Sequence, residues 1–306
     1  MLSRHRFGVL GKIAADLDTA LAARAATGAL GRTAARVLDR GAGWSVSDVI
    51  CTSGPGDRSF EEQYCNTSIG MVVAGTFQHS STHGHHLMTP GSLLLGNSGE
   101  CFECGHDHAA GDRCISFQYS ADYFDRLVAD SAVRCSTGRF QRSHLPPIPT
   151  SAALIARAAA AVSQVADVSW EELALDVAAT AIRFGENRST GDRRESSSAM
   201  ARVTENVRAI QRNPGARWAL SDLARHAEQS PFRYLRTFRR VTGVTPHQFI
   251  LRTRLRDAAS RLLAHDTNVI DIALESGFGD LSNFNRAFRL EFGLSPRAYR
   301  RQFARG

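Results

Sequence analysis

The sequence predicts an α+β protein. A small β-barrel followed by helices is expected in the N-terminal two thirds, then an all-α domain of two helix-turn-helix units joined by a long helix. Three observations predict this. Short apolar runs broken by Gly, Pro, Ser and Asn fill residues 44–119, as in strands separated by turns. A helix-turn-helix pattern occurs twice near the C-terminus. The charge is also uneven: residues 201–306 hold 19 arginines against 9 acidic residues, whereas residues 1–200 hold 18 basic against 21 acidic. A basic segment on a nearly neutral remainder is the footprint of a nucleic-acid-binding module.

A chain of 306 residues is expected to form two domains at about 100–200 residues each. Its 43% hydrophobic and 22% charged residues suit a globular protein, and no run of about 20 apolar residues is present to span a membrane. The opening MLSRHRFGVLGKIAAD is apolar only briefly and is broken by Lys12, so it makes a poor signal peptide and points to the cytoplasm.

Residues 1–42, rich in Ala and Arg, predict an N-terminal extension that is helical or loosely ordered. The segments WSVSDVICTS, SIGMVVAGTFQ, SLLLGN and CISFQYS read as strands of a domain over residues 43–185. Asn66 to Gly99 contains no Asp, Glu, Lys or Arg, which suits the dry interior of a small barrel. Residues 121–185 turn helical, and the last of these segments opens with Ser169 and Glu172 spaced as a capping box. Residues 186–199 are polar and aperiodic, a linker before a domain at 200–306.

In that last domain, Arg236, Phe238, Arg239, Gly243, Pro246 and Phe249 recur fifty positions on as Arg286, Phe288, Arg289, Gly293, Pro296 and Tyr299. Leu223–Ala224 recurs forty-nine positions on as Ile272–Ala273, so the second copy has one extra residue in its turn. Each copy reads as helix, tight turn, helix. Ser221 is expected to cap the first short helix, Ser230 and Asp280 the second helices, and Gly243 and Gly293 to end them in left-handed conformation. Pro231 suits a first helical position. From Pro246 to Ala264 a helix capped by Thr245 spans about 28 Å, close to the ~34 Å between successive major grooves on one face of B-DNA.

These paired units, and especially GFGDLSNFNRAFRLEFGLSPRAYR from Gly277 to Arg300, resemble the DNA-binding domain of the AraC/XylS family of bacterial transcription regulators. TPGSLLLGNSGE is similar to the Pro-Gly turn and strand of the cupin-like barrels that the family often carries. The resemblance implies a cupin-like effector-binding and dimerisation domain over 43–185, with the helices at 151–185 as a candidate dimer interface. It also implies that the second helix of each unit enters the major groove of double-stranded DNA. By position, Phe232, Arg233, Leu235 and Arg236 would face the groove in the first unit, with Thr237 and Arg240 towards the backbone. In the second, Leu281, Ser282, Asn283, Asn285 and Arg286 would do so, with Arg289 near phosphates. Arginine pairs bidentately with guanine and asparagine with adenine. Leu235 and Tyr234 depart from the family's pattern in the first unit. RNA polymerase, an unidentified effector and a second copy in a homodimer are the further implied partners, and the role is expected to be that of an activator.

CFECGHDHAAGDRC places Cys101, Cys104, His106, His108 and Cys114 close together in sequence, downstream of His79, His83, His85 and His86. Thiolate and imidazole suit zinc or copper(I), so these five are candidate metal ligands, though the spacing matches no closed zinc module. The same residues also suit buried thiols with loop histidines, or a redox-reactive thiol. Cys51, Cys65 and Cys135 complete the six cysteines. No nucleophile elbow or Gly-rich phosphate loop occurs, and no glutamate follows His83 and His85 before Glu100, so an enzyme is not expected. Two other readings stay open: a constitutive DNA-binding regulator whose barrel only dimerises, and a metal-dependent cupin enzyme fused to a DNA-binding domain.

Overall fold

The computed structural model describes residues 9–131, 138–164, 168–185, 195–264 and 267–303. The chain opens with helix α1 (Val9–Thr27) and then forms β1 (Thr33–Gly41), β2 (Trp44–Cys51), β3 (Phe60–Gln63), β4 (Thr67–Gly75), β5 (Phe77–Ser81), β6 (Gly84–Met88), β7 (Leu93–Gly96), β8 (Cys101–Gly105) and β9 (Asp112–Tyr119). After α2 (Ala121–Asp130) come the short β10 (His144–Leu145), α3 (Pro149–Val162) and α4 (Trp170–Gly185). The remainder is helical: α5 (Ser197–Arg212), α6 (Leu220–His226), α7 (Pro231–Thr242), α8 (Pro246–Ala264), α9 (Val269–Glu275), α10 (Leu281–Phe292) and α11 (Pro296–Phe303).

The strands form two antiparallel sheets, a six-stranded one in the order β1-β2-β9-β4-β7-β10 and a four-stranded one in the order β3-β8-β5-β6. The single strand expected over SIGMVVAGTFQ is two strands in different sheets. Gly75 ends the first of them at φ +73°, and a Cβ there would run into the Gly111 carbonyl, so only glycine lets the chain turn against that loop.

Residues 1–42, expected to be helical or loosely ordered, hold the helix α1 and also the strand β1. Ile13 and Leu17 of α1 are buried, and Arg113 of β9 donates to the Ile13 carbonyl at 3.2 Å and to Asp16 at 2.9 Å. Arg24 ties the far end of α1 to the Thr52 carbonyl at 2.6 Å and to Asp57 at 2.7 Å. Residues 33–41 are strand, an edge paired to β2 alone. Eight of its nine side chains are exposed, so it lacks the alternation that marks a half-buried strand in sequence. The first eight residues, Cys135 and most of the expected linker (186–194) lie outside the described residues.

The helices at 151–185, candidates for a dimer interface or equally for packing within the chain, bury one face inside the chain. Ala152, Leu154, Ile155 and Ala158 of α3 are buried, and α3 packs on α4, α8 and α10. The Ser169 cap is present, its hydroxyl accepting from the Glu172 amide at 3.3 Å. Two main cores result. One runs from α1 and the larger sheet through α3 and α4 into α8, α9 and α10. The other joins α5, α6, α7 and the start of α8, with Leu87 of β6 added.

Charge burial gives the sheets a pH sensitivity. His79 of β5 is fully buried against Phe102, and burial first, then His86 and His85, push its pKa down from 6.5 to about 3. Burial likewise holds the His144 imidazole well below its ordinary value. Below pH 6.5 the unfolded chain takes up protons that these folded imidazoles refuse, so stability is present above that pH and is lost as the pH falls towards 3. His79 alone contributes a slope of about 1.4 kcal/mol per pH unit in that window. Urea unfolding of the wild type and of His79→Leu, each followed from pH 7 to 5, is expected to show a shallower dependence in the variant by about one proton.

Candidate nucleic-acid interface

The two helix-turn-helix units follow the sequence repeat. α6 and α9 begin forty-nine residues apart, α7 and α10 fifty apart. The second helices are capped as the sequence predicts: Ser230 accepts from the Arg233 amide at 3.4 Å and Asp280 from the Asn283 amide at 2.7 Å. Gly243 and Gly293 end them in the left-handed conformation. Thr245 and Gln248 make a reciprocal cap for α8, the Gln248 amide donating to Thr245 Oγ1 and the Thr245 amide to Gln248 Oε1. One cap differs: α6 starts at Leu220 with Ala219 at the N-cap, and Ser221 lies inside the helix.

The extra residue of the second unit lies after the sharpest point of the turn. Glu228 at φ 51° and Gly277 at φ +88° are equivalent, because the next amides, of Gln229 and Phe278, donate to the carbonyls of the matched Ala224 and Ala273. In the first unit Tyr234, Phe238 and Phe249 pack inward, tilted or edge-on, at ring separations of 5.7 Å. Tyr234, which departs from the family pattern, is accommodated by buried Asn206 of α5. Its amide donates to the Tyr234 hydroxyl at 2.9 Å and to the Leu223 carbonyl at 3.0 Å. In the second unit Phe278, Phe284, Phe288, Phe292 and Tyr299 form a continuous aromatic core.

With those faces buried, α7 exposes Phe232, Arg233, Arg236 and Arg239, and the Arg236 guanidinium lies 6.0 Å from the centre of the Phe232 ring. α10 exposes Ser282, Asn283, Asn285, Arg286 and Arg289. A groove of about 620 Å³ runs beside α10, lined in part by Asn285, Arg286, Arg289 and Arg297. Leu235 and Leu281 are half-buried, and Leu281 packs on the core. One expected contact needs correcting. Thr237, expected towards the DNA backbone, is buried beside Phe238, because it falls on the inward face of α7. Arg240 is exposed and pairs with Glu195 ahead of α5. Arg239 is exposed on the same helix and was missing from the expected set although it belongs to the repeat.

The five candidate metal ligands are not brought together. Cys101 is exposed at the start of β8, opposite Gln63, and His108 is half-buried in the following loop. Cys104 and Cys114 are buried among Val72, Phe77 and Met88, which raises both thiols well above the usual range through burial first and then Asp112. His106 instead meets Cys51 and Asp112, residues fifty-five and six positions away, and the ligand atoms of these three lie within 4.8 Å of one another. His106 Nε2 is 2.7 Å from Asp112 Oδ1, and the Cys114 thiol donates to Asp112 Oδ2 at 3.3 Å. Burial opposes charge on His106, yet Asp112 and Cys51 raise its pKa to about 9. The Cys51 thiol is lowered against its own burial chiefly by His106. Only distant contact on a strand end, not spacing, joins Cys51 to this group. His83 is 3.2 Å from Glu100, apart from that cluster in sequence and in partner.

Residues 223–302 match the model of a family described as "Helix-turn-helix domain". The transcriptional activator NphR of Rhodococcus sp is 35% identical over 150 residues, 48% of this chain and 43% of NphR, so the chain spans less than half of that relative's length. The HTH-type transcriptional activator AarP of Providencia stuartii is 33% identical over 98 residues, 32% of this chain and 73% of AarP. The chain belongs to the AraC/XylS family of transcription regulators. The DNA-binding domain of AdpA, solved in complex with a target DNA, is similar at 29% identity over 33% of this chain and 90% of that one, with a TM-score of 0.32. NphR, AarP and RhaS of Yersinia pestis, the last 42% identical over 73 residues (24% of this chain and 27% of RhaS), are transcriptional activators, not enzymes. Among the described residues no helix is long and apolar enough to cross a membrane.

Presentation of α10 depends on the turn before it. A Cβ at Gly277 would lie 2.9 Å from Arg254 Nε and 3.0 Å from the Gly215 Cα, and φ there is +88°. Gly277→Ala is therefore expected to cost about 1–2 kcal/mol, read as a lowered urea midpoint in the full chain.

Proposed function

We propose that the chain is an effector-controlled, cytoplasmic transcription regulator that binds double-stranded DNA by placing α7 and α10 in successive major grooves. The observation that carries this reading is the repeated display of Arg236 and Arg286, fifty residues apart, on two capped helices whose opposite faces are buried. The Pro246–Ala264 helix between the units, at about 28 Å, supports simultaneous engagement of both grooves. Asn283, Asn285 and Arg286 are the base-reading side chains in the second unit, and Phe232, Arg233 and Arg236 in the first. Arg289 and Arg239 meet phosphates.

The two sheets act as a cupin-like effector-binding and dimerisation domain, and the regulator works as a homodimer that activates transcription in contact with RNA polymerase. Control by that half is supported by Arg208 of α5. It donates to Thr76 Oγ1 at 3.0 Å and to the carbonyls of Ala110 and Gly111 at 2.7 and 2.8 Å, so the first helix beyond the linker is held by loops of the sheets. An effector alters DNA binding only by favouring one arrangement of these parts over another.

The test is DNA affinity across a randomised operator library for the wild type and Arg286→Ala. Loss of preference at one base position, by about 1–3 kcal/mol with other positions unchanged, is the expected outcome. An equal loss on every sequence would assign Arg286 to phosphate, and unaltered binding would remove it from the interface.

A further inference from the structure

We propose that Cys51, His106 and Asp112 form a zinc(II) site inside the N-terminal half. These residues come from the end of β2, the loop after β8 and the start of β9, so the fold and not the local sequence assembles the site. All three are at least nine-tenths buried, and their ligand atoms lie within 4.8 Å of one another. Tetrahedral zinc with bonds of ~2.0–2.3 Å separates its ligand atoms by roughly 3.3–3.8 Å, so small side-chain rotations bring the set to bonding geometry. His106 Nε2 faces Asp112 Oδ1 at 2.7 Å, and the other ring nitrogen, Nδ1, is buried without a hydrogen-bond partner.

The donor types select the ion. One sulfur, one imidazole nitrogen and one carboxylate oxygen form a borderline set that suits zinc(II), whereas copper(I) favours softer ligands than a carboxylate. Binding releases two protons, one from the Cys51 thiol as the sulfur–zinc bond forms and one from the His106 imidazolium as its nitrogen takes up the metal. The thiolate and the carboxylate then cancel the two charges of the ion, so a buried, electrically neutral unit results. The Cys114 thiol, donating to the far oxygen of Asp112 at 3.3 Å, orients the carboxylate from outside the ligand set. Three protein ligands leave one position of a tetrahedron for a further ligand.

The site also lies under the contact that joins the two halves. Both carbonyls that accept from Arg208, those of Ala110 and Gly111, belong to the loop between His106 and Asp112. A zinc ion bonded to both ends of that loop fixes the platform on which α5 rests. Metal occupancy is thereby linked to the placement of the first helix-turn-helix unit.

The experiment is metal content and cobalt(II) substitution on the full chain, purified reduced and without a histidine tag, then loaded and desalted. The expected result is one zinc per chain and, with cobalt, a thiolate-to-metal charge-transfer band. Cys51→Ser and Asp112→Asn, each checked for native circular dichroism, should weaken retention at least about tenfold and remove the band in the cysteine variant. Cys101→Ser, at an exposed position away from the cluster, should keep one zinc and the band. Wild-type protein that holds no stoichiometric metal overturns the proposal without recourse to any variant. So does a metal retained in Cys51→Ser and lost in Cys101→Ser.

Discussion

Two successive charges at the start of the central strand, Asp112 and Arg113, set the terms on which the N-terminal half folds. Alternation along β9 sends them to opposite faces, and both are at least nine-tenths buried, so each requires a partner on its own side. Arg113 is met by Asp48 through two nitrogens at 2.8 and 2.9 Å, and by Asp16 and the Ile13 carbonyl of α1. Burial disfavours charge on Asp48, but Arg113 and Arg36 outweigh it and hold the carboxylate below its ordinary range. On the other face Asp112 engages His106 and Cys114. The helix that covers one side of the sheet and the polar cluster on the other are thus consequences of one dipeptide. Removing either charge leaves the opposite partner buried and uncompensated, a larger penalty than the pair's own net contribution.

The two helix-turn-helix units are alike in sequence and unlike in support. The first has its own core with α5, where Asn206 satisfies the Tyr234 hydroxyl, and it is tied to the sheets through Arg208 and Leu87. The second shares its aromatic core with α3, α8 and the larger sheet. Arg252 of α8 joins Glu291 of α10 at 3.4 Å and also donates to the Pro147 carbonyl in the loop before α3. The angle between the two reading helices is therefore a property of the whole chain. A change at the sheets reaches α7 through α5 and α10 through α3, by separate routes.

What the sequence disclosed follows from the range of the interactions involved. Caps, left-handed glycines and the repeat are local, so Ser230, Asp280, Thr245, Gly243 and Gly293 stand where their chemistry requires. β1 was hidden because an edge strand with one exposed face and a second nearly so carries no alternation. Thr237 was misplaced because its position on α7 was carried over from a family pattern, and helical phase against Tyr234 and Phe238 turns it inward. The cysteine cluster shows the same limit. Cys101 and Cys104 are close in sequence but sit at an exposed strand start and in an apolar core, while Cys51 reaches His106 only because β2 pairs with β9 and brings its Cys51 opposite Asp112.

The positive charge of the C-terminal domain divides in a way composition cannot reveal. Arg208, Arg254 and Arg300 are bonded to backbone carbonyls, and Arg256 is buried beside Gly91 with its guanidinium donating to Thr253. Arg240, Arg252 and Arg261 are paired with carboxylates. Guanidinium suits this work because its several N–H groups satisfy carbonyls from different segments at once. These side chains join segments of the fold. The counterions released on DNA binding should then follow the exposed arginines of α7 and α10, a much smaller number than the domain's 19. The basic excess of residues 201–306 thus serves two tasks, and the larger share of specific contacts within the protein is made by residues that a charge count alone assigns to DNA.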